Sequence, residues 1–554
     1  MEGDRGRKIK TARDPRHREL SIWSRGKHAL ATARCESAIG REQRNAYIFG
    51  VPLRITKQIA PWRRHSCLRT FLSLSIVGLS LAAPAQSWDK TVAPGLTFHM
   101  EYDATAPRTV YALRITPAAG SVRAVPELAQ GKVFSDDDSK GRETISQMVT
   151  RTGAIGGING DFFPFTGDPL GLMVRNGQLL SEPVKARAAF GWGDLMSAAS
   201  VINWHITLQA EGLDPLEVDG IDQSCPLNGC AINDATAGMA ICSKPAVSVV
   251  VKCDQPSLPP NGQLVGIVQT VFDGSTSVPI GDGSFIVMGE GDKAAYLNSL
   301  RPGQKITFNV QTQGFDWSKI THAIGGGPML LQNGHPFVDW QDEDFRPDFA
   351  NSRHPRSAVG RTLQGDMWFV AVDGRQPSSI GATLDEMATI MQQLGCQDAI
   401  NLDGGGSTDI NLFGLVLNRP VEKEAGQEQV TTERKVANGV LIYGDRPQPD
   451  ESTYKIMAPT SVLTTDTPDL TVTKDDGTAV PNTDVIWASA GAAFIDQGGR
   501  LHCSAAGNVT VQAFVHGQVI SAVVAITQPT PPTTPPKTAA KPVKNGKGGG
   551  GGHL

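Results

Sequence analysis

One stretch constrains this chain more than any other: Ala399-Ile400-Asn401-Leu402-Asp403-Gly404-Gly405-Gly406-Ser407-Thr408. A short apolar run reads as a buried strand, and this one stops at an acid, three glycines and two hydroxyls. Residues without a Cβ at a strand end let backbone N–H groups turn outward and approach a ligand closely. Such a nest favours anions whereas Asp403 repels them. Both fit one site if a phosphate lies on Gly404, Gly405 and Gly406 while the acid works on a neighbouring atom. A tight turn with an N-cap serine explains the same string without a ligand. A glycine break recurs at Ala154-Ile155-Gly156-Gly157-Ile158-Asn159-Gly160-Asp161-Phe162-Phe163 and again at Thr321-His322-Ala323-Ile324-Gly325-Gly326-Gly327-Pro328-Met329-Leu330-Leu331.

Composition supports a body made of strands and turns. Sixty glycines and 36 prolines with only 6% aromatic residues argue for a β-rich chain rather than a helical bundle. The 554 residues leave room for two or more domains. A net charge of −4 gives no electrostatic case for a nucleic-acid partner.

Arg63, Arg64 and Arg69 precede the apolar run 70–82 and then Ala83-Pro84-Ala85, the layout of a secretory signal peptide with a small-x-small cleavage site. The run is short for a membrane span, so export to the periplasm or the exterior is expected, with no stable membrane insertion after cleavage. Residues 1–62 are Arg-rich and without periodicity, and read as a disordered or mis-called extension before a signal at 63–85. Export permits disulfides. Cys225, Cys230, Cys242 and Cys253 lie close enough for one or two local bridges, and they lack the paired C-x2-C spacing of zinc sites. Cys396 and Cys503 are expected to be free and buried.

Local chemistry defines several elements. Residues 142–152 space Ile145, Met148 and Val149 for a short helix ending at Gly153. Thr383 and Glu386 form a capping box for a helix that ends at Gly395. With the strands at 367–373 and 399–402 this helix makes a βαβ-like unit, which puts the glycine nest at a strand's carboxyl end. Asn176-Gly177 marks a hairpin over 169–180, and Asn333-Gly334 marks another turn.

Asp161 is a candidate acid, and Phe162 and Phe163 could wall a sugar pocket; an Asn-Gly turn with two core phenylalanines is the alternative. Arg356, in Asn351-Ser352-Arg353-His354-Pro355-Arg356, is a candidate phosphate ligand, since guanidinium binds phosphate bidentately; a surface ion pair is the alternative. The acids Asp342, Glu343, Asp344 and Asp348 form either a solvated face or a Ca2+ loop, and they lack a recognisable ligand spacing.

Six strings in order carry a resemblance: GGINGDFF (156–163), PLGLMVRNGQ (169–178), AIGGGPMLL (323–331), HPRSAVG (354–360), NLDGGGST (401–408) and ERKVANG (433–439). Together they resemble the phosphodiester glycosidase family over roughly 95–445. The resemblance implies an α+β domain over 90–447 that hydrolyses the bond between a sugar's anomeric carbon and a phosphodiester. It implies Asp403 as nucleophile or base and Glu433 or Asp161 as the second acid. Arg356, Arg434 and Gly404–Gly406 would hold the phosphate, and Asn159, Ser407 and Asn438 would position the sugar or a loop. No cofactor is required, with a divalent cation such as Ca2+ left open. The expected partner is a glycan or sugar-phosphodiester substrate, and the competing reading is a non-catalytic binding or matrix protein for an anionic glycan.

Residues 455–527 alternate β-type segments with turns and are similar to bacterial Ig-like domains through Asp484-Val485-Ile486-Trp487 and the strand around Gly507. Residues 528–554, Pro/Thr-rich and then Lys/Gly-rich, read as a disordered tail. The expected fold class is therefore α+β: a β-rich catalytic domain with a few helices, followed by a small Ig-like β-sandwich.

Overall fold

The computed structural model describes residues 85–133, 141–164, 167–184, 186–194, 196–422 and 432–529. The expected extension, the expected signal peptide up to residue 84 and the expected tail beyond 529 lie outside the described residues.

Apolar runs become central strands where both faces of a sheet are covered. The main sheet has the order Gln86–Ala93, Leu96–Asp103, Arg108–Ile115, Met367–Val372, Arg356–Thr362, Cys396–Asn401, Met329–Gln332 and His335–Pro336. Along Arg108–Ile115 the side chains alternate between two cores, as the period of a strand requires. Val110 and Ala112 join Met387 and Met391 of a helix, while Tyr111 and Leu113 join Phe98, Phe369 and Phe413 on the opposite face. Met367–Val372 is consequently buried at every position.

The helices follow their caps. Among the described residues α1 (Ile145–Thr152) starts behind the Thr144/Gln147 capping box and ends at Gly153 with φ 71°. It begins later than residue 142 because Thr144 is the cap. Two shorter helices, α2 (Asp292–Ser299) and α3 (Pro347–Asn351), precede α4 (Leu384–Gln393), which carries the Thr383/Glu386 box. The βαβ expectation holds with one modification. Met367–Val372 and Cys396–Asn401 both pair antiparallel with Arg356–Thr362, so they run parallel to each other with one strand between them. The hairpin turn at Asn176-Gly177 has φ 51° and 75°, joining Met173–Arg175 to Gln178–Ser181.

A second five-stranded sheet places Gly156–Asn159 between Ile410–Leu412 and Asn438–Tyr443. This brings the 156–163, 401–408 and 433–439 strings together. Residues between 203 and 313 form an eight-stranded sheet with its own core around Phe285 and Phe308. The strands from Tyr454 to Thr527 enclose another core around Trp487. They abut the body where Phe413 stacks on Phe514, with centroids 4.4 Å apart, and where Lys90 Nζ donates to the carbonyls of Asn482 and Val485.

The described cysteines are free thiols, and the expected local bridges are not seen. Cys225 and Cys242 do meet across an isolated bridge, but Cys230 points its thiol at the Glu217 carbonyl, 3.4 Å away. Cys396 is free and buried, whereas Cys503 is partly exposed. Among the described residues no helix is long and apolar enough to cross a membrane.

Candidate active site

A cleft of about 550 Å³ opens at the end of the strand Cys396–Asn401. Asp403, Glu422 and Glu433 bring acid to it, Arg142, Arg434 and Lys435 bring base, and Phe162, Phe163 and Pro164 form an apolar wall.

Asp403 is fixed at three points. Its N–H donates to the Gly160 carbonyl at 3.0 Å, its C=O accepts from Asn159 Nδ2 at 2.7 Å, and its Oδ1 accepts from the Gly404 N–H at 2.9 Å. Burial raises its carboxyl to about 6, against the opposing pull of the Ser407 hydroxyl, the Arg434 charge and the Gly404 amide. Ser407 joins acid to base, because it also accepts from Arg434 Nη1 at 3.1 Å. Arg434 directs Nε and Nη2 at Glu422 Oε1, at 3.1 and 2.6 Å.

Asn159 and Asn438 lie beneath the cleft and hold backbone. Asn159 Oδ1 accepts from Ser357 Oγ at 2.6 Å and from the Asp409 N–H at 3.2 Å. Asn438 Oδ1 accepts from the Asp161 N–H at 2.9 Å. Asp161 sits behind Phe162 and is 3% exposed. Its Oδ1 accepts from the Phe162 N–H, while Oδ2 has no hydrogen-bond partner. Burial lifts it to about 7, with a smaller upward push from Asp403. It does not line the cleft.

Two phosphate assignments are corrected. Arg356 is 1% exposed and faces inward. It donates from Nε to the Ala382 carbonyl at 3.0 Å and from Nη2 to the carbonyls of Phe349 and Ser352 at 2.5 and 3.1 Å. Its guanidinium also lies 4.7 Å from the Phe349 ring centroid. Nε and Nη2 are thus taken up by the protein's own carbonyls. Two amides of the glycine run are engaged as well: Gly404 on Asp403, and Gly405 on the Pro355 carbonyl at 2.9 Å. The absent Cβ atoms make room for arginine. A Cβ on Gly406 would fall 2.6 Å from Arg434 Nη2, and one on Gly405, whose φ is +64°, would fall 3.0 Å from Arg375 Nη2.

The sequence reading misses Arg375, Glu422 and Asp409. Arg375 donates to the Val421 carbonyl at 3.1 Å, and burial, with a smaller push from the neighbouring Arg434 charge, lowers its pKa. Asp409 is buried beside Glu433. Its only sequence signal is an acid at the start of the alternating polar and apolar stretch 409–412 that follows Thr408. In the acidic loop, Glu343 ties backbone: its carboxylate accepts from the N–H groups of Met329 and Ala188 at 2.6 and 2.8 Å. Among the described residues no group of three or more His, Cys, Asp or Glu side chains could hold a metal ion.

The scaffold is a β-rich protein whose cleft joins carboxyl groups to guanidinium groups over a strand end. Residues 261–443 match the sequence pattern of the phosphodiester glycosidase family. It is 26% identical over 183 residues to N-acetylglucosamine-1-phosphodiester alpha-N-acetylglucosaminidase of Mus musculus, covering 31% of this chain and 35% of that protein. With the Bos taurus protein of the same name it shares 33% identity over 141 residues, 24% of this chain and 26% of that one. The chain thus spans about a third or less of the length of these relatives. In fold it is similar to a hypothetical protein from Synechocystis, with a TM-score of 0.54 and 22% identity, covering 66% of this chain and 64% of the other.

Proposed function

We propose that this protein is an exported glycoside hydrolase that cleaves the bond between a sugar's anomeric carbon and a phosphodiester. We place its substrates among polysaccharides or cell-envelope glycans. The observation that carries the reading is the meeting of Asp403, Glu433 and Arg434 in one cleft with an aromatic wall, in a chain whose residues 261–443 match the pattern of this family.

Breaking a glycosyl–phosphate bond develops positive charge at the anomeric carbon and negative charge on the departing phosphate. Asp403, held at the strand end, stabilises the carbon as nucleophile or base. Glu433 is the second acid. Arg434 faces the phosphodiester, which takes the place of Glu422 on its guanidinium, and Arg142 and Lys435 add positive charge around it. Phe162 and Phe163 offer flat apolar faces to the sugar.

Incubation with a panel that includes N-acetylglucosamine-1-phosphodiesters and UDP-N-acetylglucosamine, followed by a free-sugar assay, tests this directly. Sugar release is expected. Release from no member of the panel, together with measurable polymer binding, would favour a non-catalytic glycan-binding protein.

Two further outcomes follow. Arg434→Ala should lower kcat/KM about a hundredfold, chiefly through KM, since a charge-assisted contact to phosphate is lost. A change confined to kcat would contradict that placement. The pH profile should rise with Asp403 ionisation. Its carboxyl stands at about 6 and must be charged to act, so kcat/KM falls as the pH drops through about 6. A flat profile between pH 4 and 7 would remove Asp403 from the rate-determining chemistry.

A further inference from the structure

Met367–Val372 and Cys396–Asn401 run parallel with Arg356–Thr362 between them, so the loops that follow them leave the sheet on the same side. The second loop carries Asp403 and the glycine run, and the first carries Asp373-Gly374-Arg375-Gln376. Both close on Pro355. A Cβ on Gly374 would fall 2.6 Å from the Pro355 nitrogen, and the Gly405 N–H donates to the Pro355 carbonyl at 2.9 Å. Arg375 is thereby brought to the glycine run: its Nη2 is the atom that a Cβ on Gly405 would meet, as Arg434 Nη2 is for Gly406. Two consecutive glycines thus admit two guanidinium groups.

The backbone of Arg375 is held in an uncommon conformation. Its φ is +59°, a region that a non-glycine residue keeps only where its surroundings impose it. Here both flanks are anchored. Asp373 is buried and its Oδ1 accepts from the Arg419 N–H at 2.9 Å. Gln376 exchanges backbone hydrogen bonds with Ser379, each 3.1 Å, and donates from Nε2 to the Arg419 carbonyl at 2.8 Å.

The guanidinium is less committed than the backbone. Among the described residues its acceptor is the Val421 carbonyl, reached from Nη1 at 3.1 Å, which leaves Nε and Nη2 without one. The next residue, Glu422, gives its carboxylate to Arg434 at 2.6 Å. One acid therefore serves two arginines. The Arg434 charge adds to burial in lowering the Arg375 pKa, and Glu422 opposes them.

We propose that Arg375 is a second phosphate ligand, so that Arg375 and Arg434 each take one non-bridging oxygen of the phosphodiester. The inference rests on the phosphodiester reading of the cleft given above. A phosphodiester has two such oxygens and one negative charge. When the glycosyl–oxygen bond breaks, the phosphate departs as a monoester and gains a second. Two guanidinium groups match that gain better than one.

The first test is calorimetric titration with inorganic phosphate, which needs no turnover. Arg375→Asn removes the guanidinium and places a residue that tolerates the left-handed region. Arg375→Lys keeps a charge without the fork and bears no more backbone strain than the parent. The parent should bind phosphate, Arg375→Asn about tenfold more weakly or worse, and Arg375→Lys in between. A Kd unchanged in both variants would show that Arg375 only braces the Val421 carbonyl, and would overturn the proposal. Combined with Arg434→Ala, Arg375→Asn should cost less than it does alone, because one anion is shared. Losses that simply add would overturn the shared anion.

The second test is turnover of a glycosyl phosphodiester. Arg375→Asn should lower kcat about tenfold or more, since the charge it meets grows as the bond breaks. Unchanged kcat and KM would overturn the role. Phosphate binding that depends on both arginines, in a parent that hydrolyses no member of the substrate panel, would leave the anion site standing and overturn the hydrolase reading instead.

Discussion

Asp403→Asn is expected to lower turnover of a glycosyl phosphodiester by about three orders of magnitude or more while the fold is retained. The substitution is nearly isosteric. The Asn carbonyl can still accept the Gly404 N–H, and the backbone contacts to Gly160 and Asn159 do not involve the side chain. What disappears is negative charge beside the anomeric carbon. Stability should move the opposite way from activity. The Asp403 carboxyl is raised to about 6, so its folded form prefers the proton and its ionisation costs stability as pH rises above the unfolded value. The Asn variant should consequently melt at the same temperature as the parent or higher at pH 7–8. Near-normal turnover in the variant would exclude Asp403 from the mechanism.

Arg356→Ala is expected to fail in a different way, by unfolding. Three backbone carbonyls, on Ala382, Phe349 and Ser352, lose their donor at once, and the side chain leaves a void over the Phe349 ring. Unsatisfied buried acceptors and a cavity together cost about 4 kcal/mol or more. Arg356→Met would refill much of the void and isolate the hydrogen-bond loss. Activity should then track the folded fraction, with KM for the phosphodiester unchanged. An undiminished Tm with a raised KM would restore the phosphate-binding role that the sequence suggests.

These two residues show where the sequence is informative. Features fixed by neighbours along the chain are legible: the Asn176-Gly177 turn, the capping boxes of α1 and α4, and the glycine stops at Gly153 and Gly395. Their physics is contained within a few residues. Asp403 and Arg434 are legible as a pair only through the resemblance, since 27 positions separate Arg434 even from Ser407, the hydroxyl that links it to the acid. Arg356 is illegible for a geometric reason. The string His-Pro-Arg announces a guanidinium but not which way it faces, and the α3 loop captures it. The glycine run does signal close approach, yet the approaching groups are Arg375 and Arg434. Asp409 carries no local pattern, and only the fold buries it beside Glu433. The cysteine cluster teaches the same lesson, because proximity in sequence does not fix which way each thiol points.

The claim that matters most is attack at the anomeric carbon rather than at phosphorus, and hydrolysis of a glycosyl phosphodiester in water enriched in heavy oxygen decides it. Mass spectrometry of the phosphate monoester product should show no incorporated label, because the phosphate leaves with its own oxygen. Heavy oxygen in that phosphate would mean that phosphorus is attacked, and would contradict the assignment of Asp403 and Glu433 to glycosyl transfer to water.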